Sequence, residues 1–222
     1  MTSAEAASAT TEKSPSTSGG TTATGAAVSA SRSGSSAQRQ RRQRILDVTI
    51  ALASEGGFDA VQMRTVADDA DVALGTLYRY FPSKIHLLVS ALGRQFQEAE
   101  ARTATRAIPG DTPHDRVMYI LGRQTRSLQK DPNLTEALVR AFMFADASVT
   151  AEIHEVGMRL TTIISRAIAG SPDHGEATEE EAAIVRVICD VWLSALVGWV
   201  TGRTAAKDVE KSIAVAVRLL LR

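Results

Sequence analysis

The sequence predicts an all-α protein: an N-terminal three-helix unit in helix-turn-helix order, then a longer C-terminal helical domain. Apolar residues recur at intervals of three and four through almost everything beyond residue 37, the spacing of one buried helix face. No segment alternates apolar and polar residues as a half-buried strand would, and no heptad run or internal repeat appears. Helix starts and stops fall where the periodic segments end, at Gly56 and Gly57, at Pro82, at Pro132 and at the Thr178 and Glu181 pair.

Residues 1–37 are almost wholly Ser, Thr, Ala and Gly. Such a segment buries too little apolar surface to offset an ordering cost of ~1–2 kcal/mol per residue, so it is expected to be a disordered tail. Arg32 near its end leaves open a second role, as an arm that touches nucleic acid. At Gln38 the composition changes. "QRQRRQRILDVTIALASEGG" begins basic and turns amphipathic, with Ile45, Val48, Thr49 and Leu52 at helical spacing until the two glycines stop it. "MRTVADDA" is a short second helix with Val66, Ala67 and Ala70 inward, "DVALG" turns the chain, and "GTLYRYF" is a third helix ended by Pro82. This unit spans residues 38–84 and the second domain residues 85–222.

In the second domain Leu88, Leu92 and Phe96 follow every four residues in a helix reaching about Ala104. Asp111 or Thr112 caps a helix to about Lys130, and Pro132 suits the first turn of the next, which carries Leu138, Phe142 and Met143. Ser148 is expected to cap another that runs to Ala169. After a loop, Thr178 and Glu181 have capping-box spacing and open an apolar helix to about Gly202; residues 208–221 make the last.

Lysine plus arginine equals aspartate plus glutamate at 25 each, so only local clustering can point to nucleic acid. The single cysteine, Cys189, excludes an intramolecular disulfide and a cysteine-based zinc site, and fits a reducing cytoplasm. No apolar run is read as reaching the ~20 residues of a membrane span, and the N-terminus lacks a secretory apolar core. The expectation is a cytoplasmic protein without membrane contact. His86, His114, His154 and His174 show no paired ligand spacing, and no nucleophile elbow or phosphate loop occurs. Glu179, Glu180 and Glu181 suit a helix N-terminus electrostatically. No enzyme is expected: no catalytic residue, metal site or cofactor is assigned.

The stretch "GTLYRYFPSK" is too cationic for a core and too apolar for a surface. Leu77 and Phe81, four apart, share a buried face; Thr76, Arg79 and Tyr80 fall on the other, with Tyr78 at the border. Threonine, arginine and tyrosine suit a DNA groove, where arginine bonds guanine edges and phosphates and a threonine methyl meets thymine. Gly75 removes bulk where the helix start would approach the DNA backbone, and Lys84 beside the next helix N-terminus suits a phosphate. Arg39, Arg41, Arg42 and Arg44 form a basic run fitted to phosphates, or simply a solvated face. Periodicity alone equally fits a small helix packing its aromatics with Arg79 in solvent.

"GFDAVQMRTVADDADVALGTLYRYFPSK" resembles the DNA-binding signature of TetR-family transcriptional repressors, in register over about residues 38–90. The resemblance implies a TetR-like fold with a C-terminal ligand-binding and dimerisation domain. It also implies that Thr76, Tyr78, Arg79, Tyr80 and Lys84 contact double-stranded DNA, with Arg64 on the second helix as a further contact. Gln62 stands where Ser or Thr usually caps the second helix, and Asp71 replaces the usual turn glycine. Asp tolerates the left-handed conformation better than most residues.

Such proteins pair through their last two helices into a homodimer that reads a palindromic operator. "AAIVRVICDVWLSALVGWVTG" and "SIAVAVRLLLR" have apolar faces broad enough for core and partner together, which marks Val191, Ala195, Trp199, Val215 and Leu219 for the interface. Phe96, Met118, Tyr119, Leu121, Phe142, Met143, Phe144, Val156, Leu160 and Trp192 suit an effector pocket or ordinary core packing; the resemblance favours the pocket. Within the family, "HLLVSALGR", "TEALVRAFMFADAS" and "RVICDVWLSAL" are similar to the actinobacterial repressors of sterol catabolism. That similarity implies a small hydrophobic effector, an oxidised ketosteroid or its coenzyme A thioester. Its binding would move the helix beginning near Ile85.

Overall fold

The computed structural model describes residues 23–221, with side chains from Ser36 onward. The described residues divide into two compact units, one up to Gln40 and one from Arg41 onward. Among the described residues there are nine α-helices, one 3-10 turn and no strand. Helix α1 (Ala23–Ala60) starts upstream of Gln38, where a tail was expected. Ala23, Ala26, Ala27 and Ala30 are strong helix formers, and the backbone is helical across them despite Gly25 and Ser29 between. Residues 1–22 of the expected tail and the side chain of Arg32 lie outside the described residues.

At Gly56 (φ −145°, ψ 23°) and Gly57 (φ 69°, ψ −159°) α1 loses helical geometry, so the glycine stop is a sharp break before a last turn. Then come α2 (Met63–Asp69), α3 (Leu74–Tyr80), α4 (Lys84–Ala104), α5 (Pro113–Gln129) and α6 (Pro132–Met143). A 3-10 turn (Ala147–Val149) leads into α7 (Thr150–Ala169), followed by α8 (Glu179–Val200) and α9 (Ala206–Leu220).

The expected capping box of Thr178 with Glu181 opens α8, and of the two candidate caps for α5 it is Thr112, which forms a further box with Asp115. The start of α7 differs from the expected Ser148 cap. Ser148 lies inside the 3-10 turn with its amide and hydroxyl both donating to Asp146 Oδ1, so it belongs to the turn that Asp146 caps, and α7 starts uncapped at Thr150. Helix α9 starts at Ala206, ahead of the expected Asp208, which as the third helical residue accepts the Ala205 N–H.

Helix α4 packs on α6 and α7, α5 on α7 and α9, and α8 on α9, α7 and α6. One continuous core results, and burying its Leu, Ile and Phe side chains stabilises the fold by ~1.5–3 kcal/mol each. Trp192 donates its Nε1–H to Thr125 Oγ1 at 3.0 Å, satisfying two polar groups inside that core. Helix α8 corrects one sequence reading. It is 22 residues long and its most apolar 18-residue window has mean hydropathy 1.8, enough to cross a membrane by length and composition, since Arg186 and Asp190 interrupt the run without ending it. It packs here on three other helices.

Candidate nucleic-acid interface and effector cavity

Helix α2 begins without a side-chain cap, because Gln62 turns its amide nitrogen to the Asp59 carbonyl at 2.8 Å. The turn to α3 passes through Asp71 at φ 53°, the left-handed position expected of it. Val72 N–H then reaches back to the Ala67 carbonyl at 3.0 Å. Leu77 and Phe81 are fully buried with Ile45, Leu46, Val66 and Ala67, and hold α3 against the helices before it.

On α3, Gly75 and Arg79 are exposed and Tyr78 is 45% exposed, while Thr76 is half-buried. The two tyrosines exchange the places expected of them. Tyr80 packs on the core with its ring 6.4 Å from that of Phe81, so Tyr78 is the outward one. Helical spacing sets Tyr78 and Tyr80 on opposite borders of the buried stripe, and the neighbouring helices cover only the Tyr80 side. A Cβ built on Gly75 meets nothing within 4 Å, so no internal contact demands glycine there. Arg64 on α2 and Arg79 are exposed and engage no partner among the described residues. Arg42 is exposed with its guanidinium 5.3 Å from the centre of the Phe81 ring. Arg39 is exposed on α1 within the unit up to Gln40.

Lys84 stands apart from the others. It is the first residue of α4, capped by Ser83, and its Nζ donates to the Phe58 carbonyl at 2.9 Å while lying 4.2 Å from the Phe58 ring centre. Burial lowers its pKa from the ordinary lysine value, against the pull of Asp59. Its ammonium is therefore turned onto the end of α1. The same Phe58 ring carries the Arg140 guanidinium at 4.4 Å, and the Phe58 N–H donates to Glu136 Oε2 at 3.0 Å. A Cβ at Gly57 would meet that carboxylate oxygen at 2.9 Å, so the left-handed glycine also makes room for it. Asn133 Nδ2 donates to the Ser54 and Glu55 carbonyls. One face of α6 thus grips the junction between α1 and α2, a connection that helical spacing gave no sign of.

The opposite face of α6 lines an apolar cavity of about 110 Å3 between α4, α7 and α8. Phe96, Phe142, Val156, Leu160 and Trp192 line it as expected. The other five expected residues do not. Leu121 is buried elsewhere in the core, Met118 is half-buried, and Tyr119 lines a separate groove. Met143 and Phe144 are 54% and 70% exposed, because α6 ends at Met143 and leaves both outside the packed layer. Leu92, Leu138 and Val139 were missed, although Leu92 and Leu138 stand four residues before Phe96 and Phe142. Cys189 also lines the cavity, its thiol pKa pushed up to about 12 by burial and by Asp190.

On the outer side, Val215 and Leu219 are 48% and 56% exposed, and Val191 and Ala195 line an open groove between α8 and α9. Trp199 is half-buried and packs on the core. Only 28% of the most apolar window of α8 is buried in the single chain.

Residues 45–91 match the family described as "Bacterial regulatory proteins, tetR family", and residues 110–220 match "Tetracyclin repressor-like, C-terminal domain". The chain is 54% identical over 180 residues to the HTH-type transcriptional repressor KstR of Mycolicibacterium smegmatis, covering 81% of this chain and 86% of that protein. Against KstR of Mycobacterium tuberculosis it is 53% identical over 180 residues, covering 81% and 80%. A TetR transcriptional regulator from Rhodococcus sp. RHA1 superposes with TM-score 0.75 at 33% identity, covering 83% of this chain and 97% of that one. The fold is also that of Thermus thermophilus FadR, a repressor in complex with lauroyl-CoA, at TM-score 0.63 and 17% identity over 81% of this chain and 93% of that one. Matched along both its helix-turn-helix and its C-terminal helices, the chain belongs to the TetR family of bacterial transcriptional regulators.

Proposed function

We propose that the chain represses transcription as a homodimer on a palindromic operator and lets go when a sterol-derived effector enters the cavity beside α6. The effector class is an oxidised ketosteroid or its coenzyme A thioester, and the genes controlled are those of sterol catabolism. The site of action is operator DNA in the cytoplasm. The observation that carries the DNA reading is the outward face of α3: Tyr78 and Arg79 beside Gly75, with Arg79 unpartnered inside the protein and the helix pinned by Leu77 and Phe81. A guanidinium on a rigid short helix can reach guanine O6 and N7 in the major groove, while Arg64, Arg42 and Arg39 add phosphate contacts. Val187, Val215 and Leu219 leave an apolar face on α8 and α9 that a second copy would cover.

Similarity to the KstR repressors supports the sterol class, and the fold is one that holds lauroyl-CoA in the Thermus protein. The cavity, about 110 Å3, is far below the ~300–1,000 Å3 of a ligand site. A steroid can enter only by pushing the walls apart. Two of those walls touch the DNA-binding unit: α6 through Glu136, Arg140 and Asn133, and α4 through Lys84 and through Arg94, which pairs with Asp47 at 2.6 Å. Moving either shifts α3 away from the ~34–36 Å spacing of successive major grooves in a dimer. Full release, from 1:99 to 99:1, requires a preference of about 5.5 kcal/mol for the released state. Coupling therefore runs through α6 as well as through the helix expected from the sequence.

Titration of the purified protein on its own upstream DNA tests this. Arg79→Ala is expected to weaken operator binding by ~1–3 kcal/mol and to relax preference at one base pair. Unchanged binding would remove Arg79 from the readout. Release by a steroid thioester supports the effector class, whereas release only by an unrelated apolar ligand keeps the repressor and discards the sterol.

A further inference from the structure

Three residues of α4 meet α7 and the turn before it at equal intervals. His86, Gly93 and Glu100 follow at a spacing of seven, close to two helical turns, so they share one face of α4. At the first of them the His86 ring is buried, and its Nε2 lies 3.0 Å from the Ser148 carbonyl in the 3-10 turn that leads into α7. A carbonyl only accepts, so Nε2 carries the proton, and Nδ1 accepts from the Ser83 hydroxyl at 2.9 Å. At the last, Glu100 lies between two arginines of α7. Arg159 Nη1 donates to Oε2 at 2.9 Å, and Arg166 Nη1 stands 4.0 Å from Oε1. Helix α4 is thus fastened on the α7 side at both ends of this span.

Midway between the fastenings stands Gly93, the only glycine of α4. It is buried, and a Cβ built on it lies 3.7 Å from Val156 Cγ2, an ordinary contact distance. Packing therefore leaves room for alanine, so the close approach of α7 does not account for the glycine. What glycine does supply is backbone freedom, which weakens a helix interior at that point. The weak point falls where α4 is loaded: Leu92 and Phe96 beside it are wall residues of the cavity, facing Val156 and Leu160 of α7.

We propose that α4 works as a beam held at His86 and Glu100 and bending at Gly93, with His86 as the pivot that turns the bend into a tilt of the DNA-binding unit. A beam held at two points and pushed at its middle rotates about each of them. Seven residues span ~10 Å of helix, so a displacement of about 1 Å at Gly93 tilts the first half of α4 by about 6°. The DNA-binding unit is tied to α4 at two levels, beside the pivot through Lys84 on Phe58 and beside the bend through Arg94 on Asp47, so it turns with the tilt. The device rests on the reading of the cavity as an effector site and adds how its opening reaches α3: by a bend about a fixed pivot, not by a shift of the whole helix. His86 is a positioning residue in it.

Amide hydrogen exchange on the ligand-free full chain tests the bend whatever the effector is. The N–H groups of residues 94–97 bond back across Gly93, so they exchange faster than those of residues 87–91, and Gly93→Ala slows them. Uniform exchange along α4, or exchange that the alanine leaves alone, overturns the bend. Calorimetry with a cholestenoyl coenzyme A thioester, with and without a duplex of the protein's own upstream DNA, then gives the coupling factor as the ratio of the two affinities. Gly93→Ala raises Tm by about 1–4 °C, keeps ligand-free operator affinity and lowers the coupling factor by roughly fivefold or more. His86→Leu lowers both Tm and the coupling factor, and His86→Gln, whose side-chain amide donates to the same carbonyl, restores the coupling. A fall in Tm with an unchanged coupling factor leaves His86 a stabilising contact only and overturns the pivot. If this thioester does not release the wild type, the sterol reading falls, and the exchange pattern alone decides the bend.

Discussion

Lys84 was expected to hold a DNA phosphate and is found instead on Phe58, so replacing it separates two roles. Lys84→Met keeps most of the stem and removes the ammonium. Two contacts are lost: the cation 4.2 Å from the Phe58 ring centre and the 2.9 Å bond to the Phe58 carbonyl. The first is worth ~0.5–1 kcal/mol at an exposed site and ~2 when desolvated, and the second ~0.5–1.5 kcal/mol net. Burial lowers the pKa of Lys84, so part of that gain is cancelled by desolvation of the ammonium, and a net loss of about 1–2 kcal/mol follows. For a chain of this length each kcal/mol moves Tm by ~2–4 °C, giving a fall of about 2–8 °C in a calorimetric scan. The salt dependence of operator binding stays as in the wild type. The reasoning is refuted if Tm is unchanged while the log–log salt slope falls by about one, since that is the loss of a phosphate contact.

Gly75→Ala is expected to stabilise the fold by ~0.5–1 kcal/mol, because a Cβ there meets nothing inside the protein, and to weaken operator binding; tighter binding would contradict the close approach of DNA at this point. Glu136→Ala cuts the bond to the Phe58 N–H, so effector-driven release measured by fluorescence anisotropy should need more ligand than in the wild type, and an unchanged dose curve would remove α6 from the coupling. Hydrogen bonds from Thr112, and His114 beside it, hold the Asp115 carboxyl below its ordinary pKa, and the Thr178 N–H does the same first of all for Glu181. Both folded pKa values are depressed, so their contribution is present above the usual carboxylate range of ~4 and is lost as pH falls through the folded values. The urea midpoint should therefore drop on acidification below about pH 4, and Thr112→Val should make that limb shallower. Cys189, with its pKa near 12, should react slowly with a thiol dye at pH 8 in the native protein and quickly in urea; fast native labelling would show the cavity open to solvent.

The sequence alone determined the local elements and the register of the reading head. Leu77 and Phe81 inward, Arg79 outward, the left-handed Asp71, the glycine break in α1 and the capping box of α8 all depend on residues within a few positions of each other, so periodicity and turn chemistry suffice. Tertiary structure decided the rest. Tyr78 and Tyr80 are equivalent by helical spacing, and only the packing of neighbouring helices sends one out and the other in. Lys84 meets Phe58 across 26 residues, and Glu136 reaches it across 78, separations at which no pattern in the chain records a partner. The cavity takes half of the large apolar residues expected of it because a hollow is what several helices leave between them.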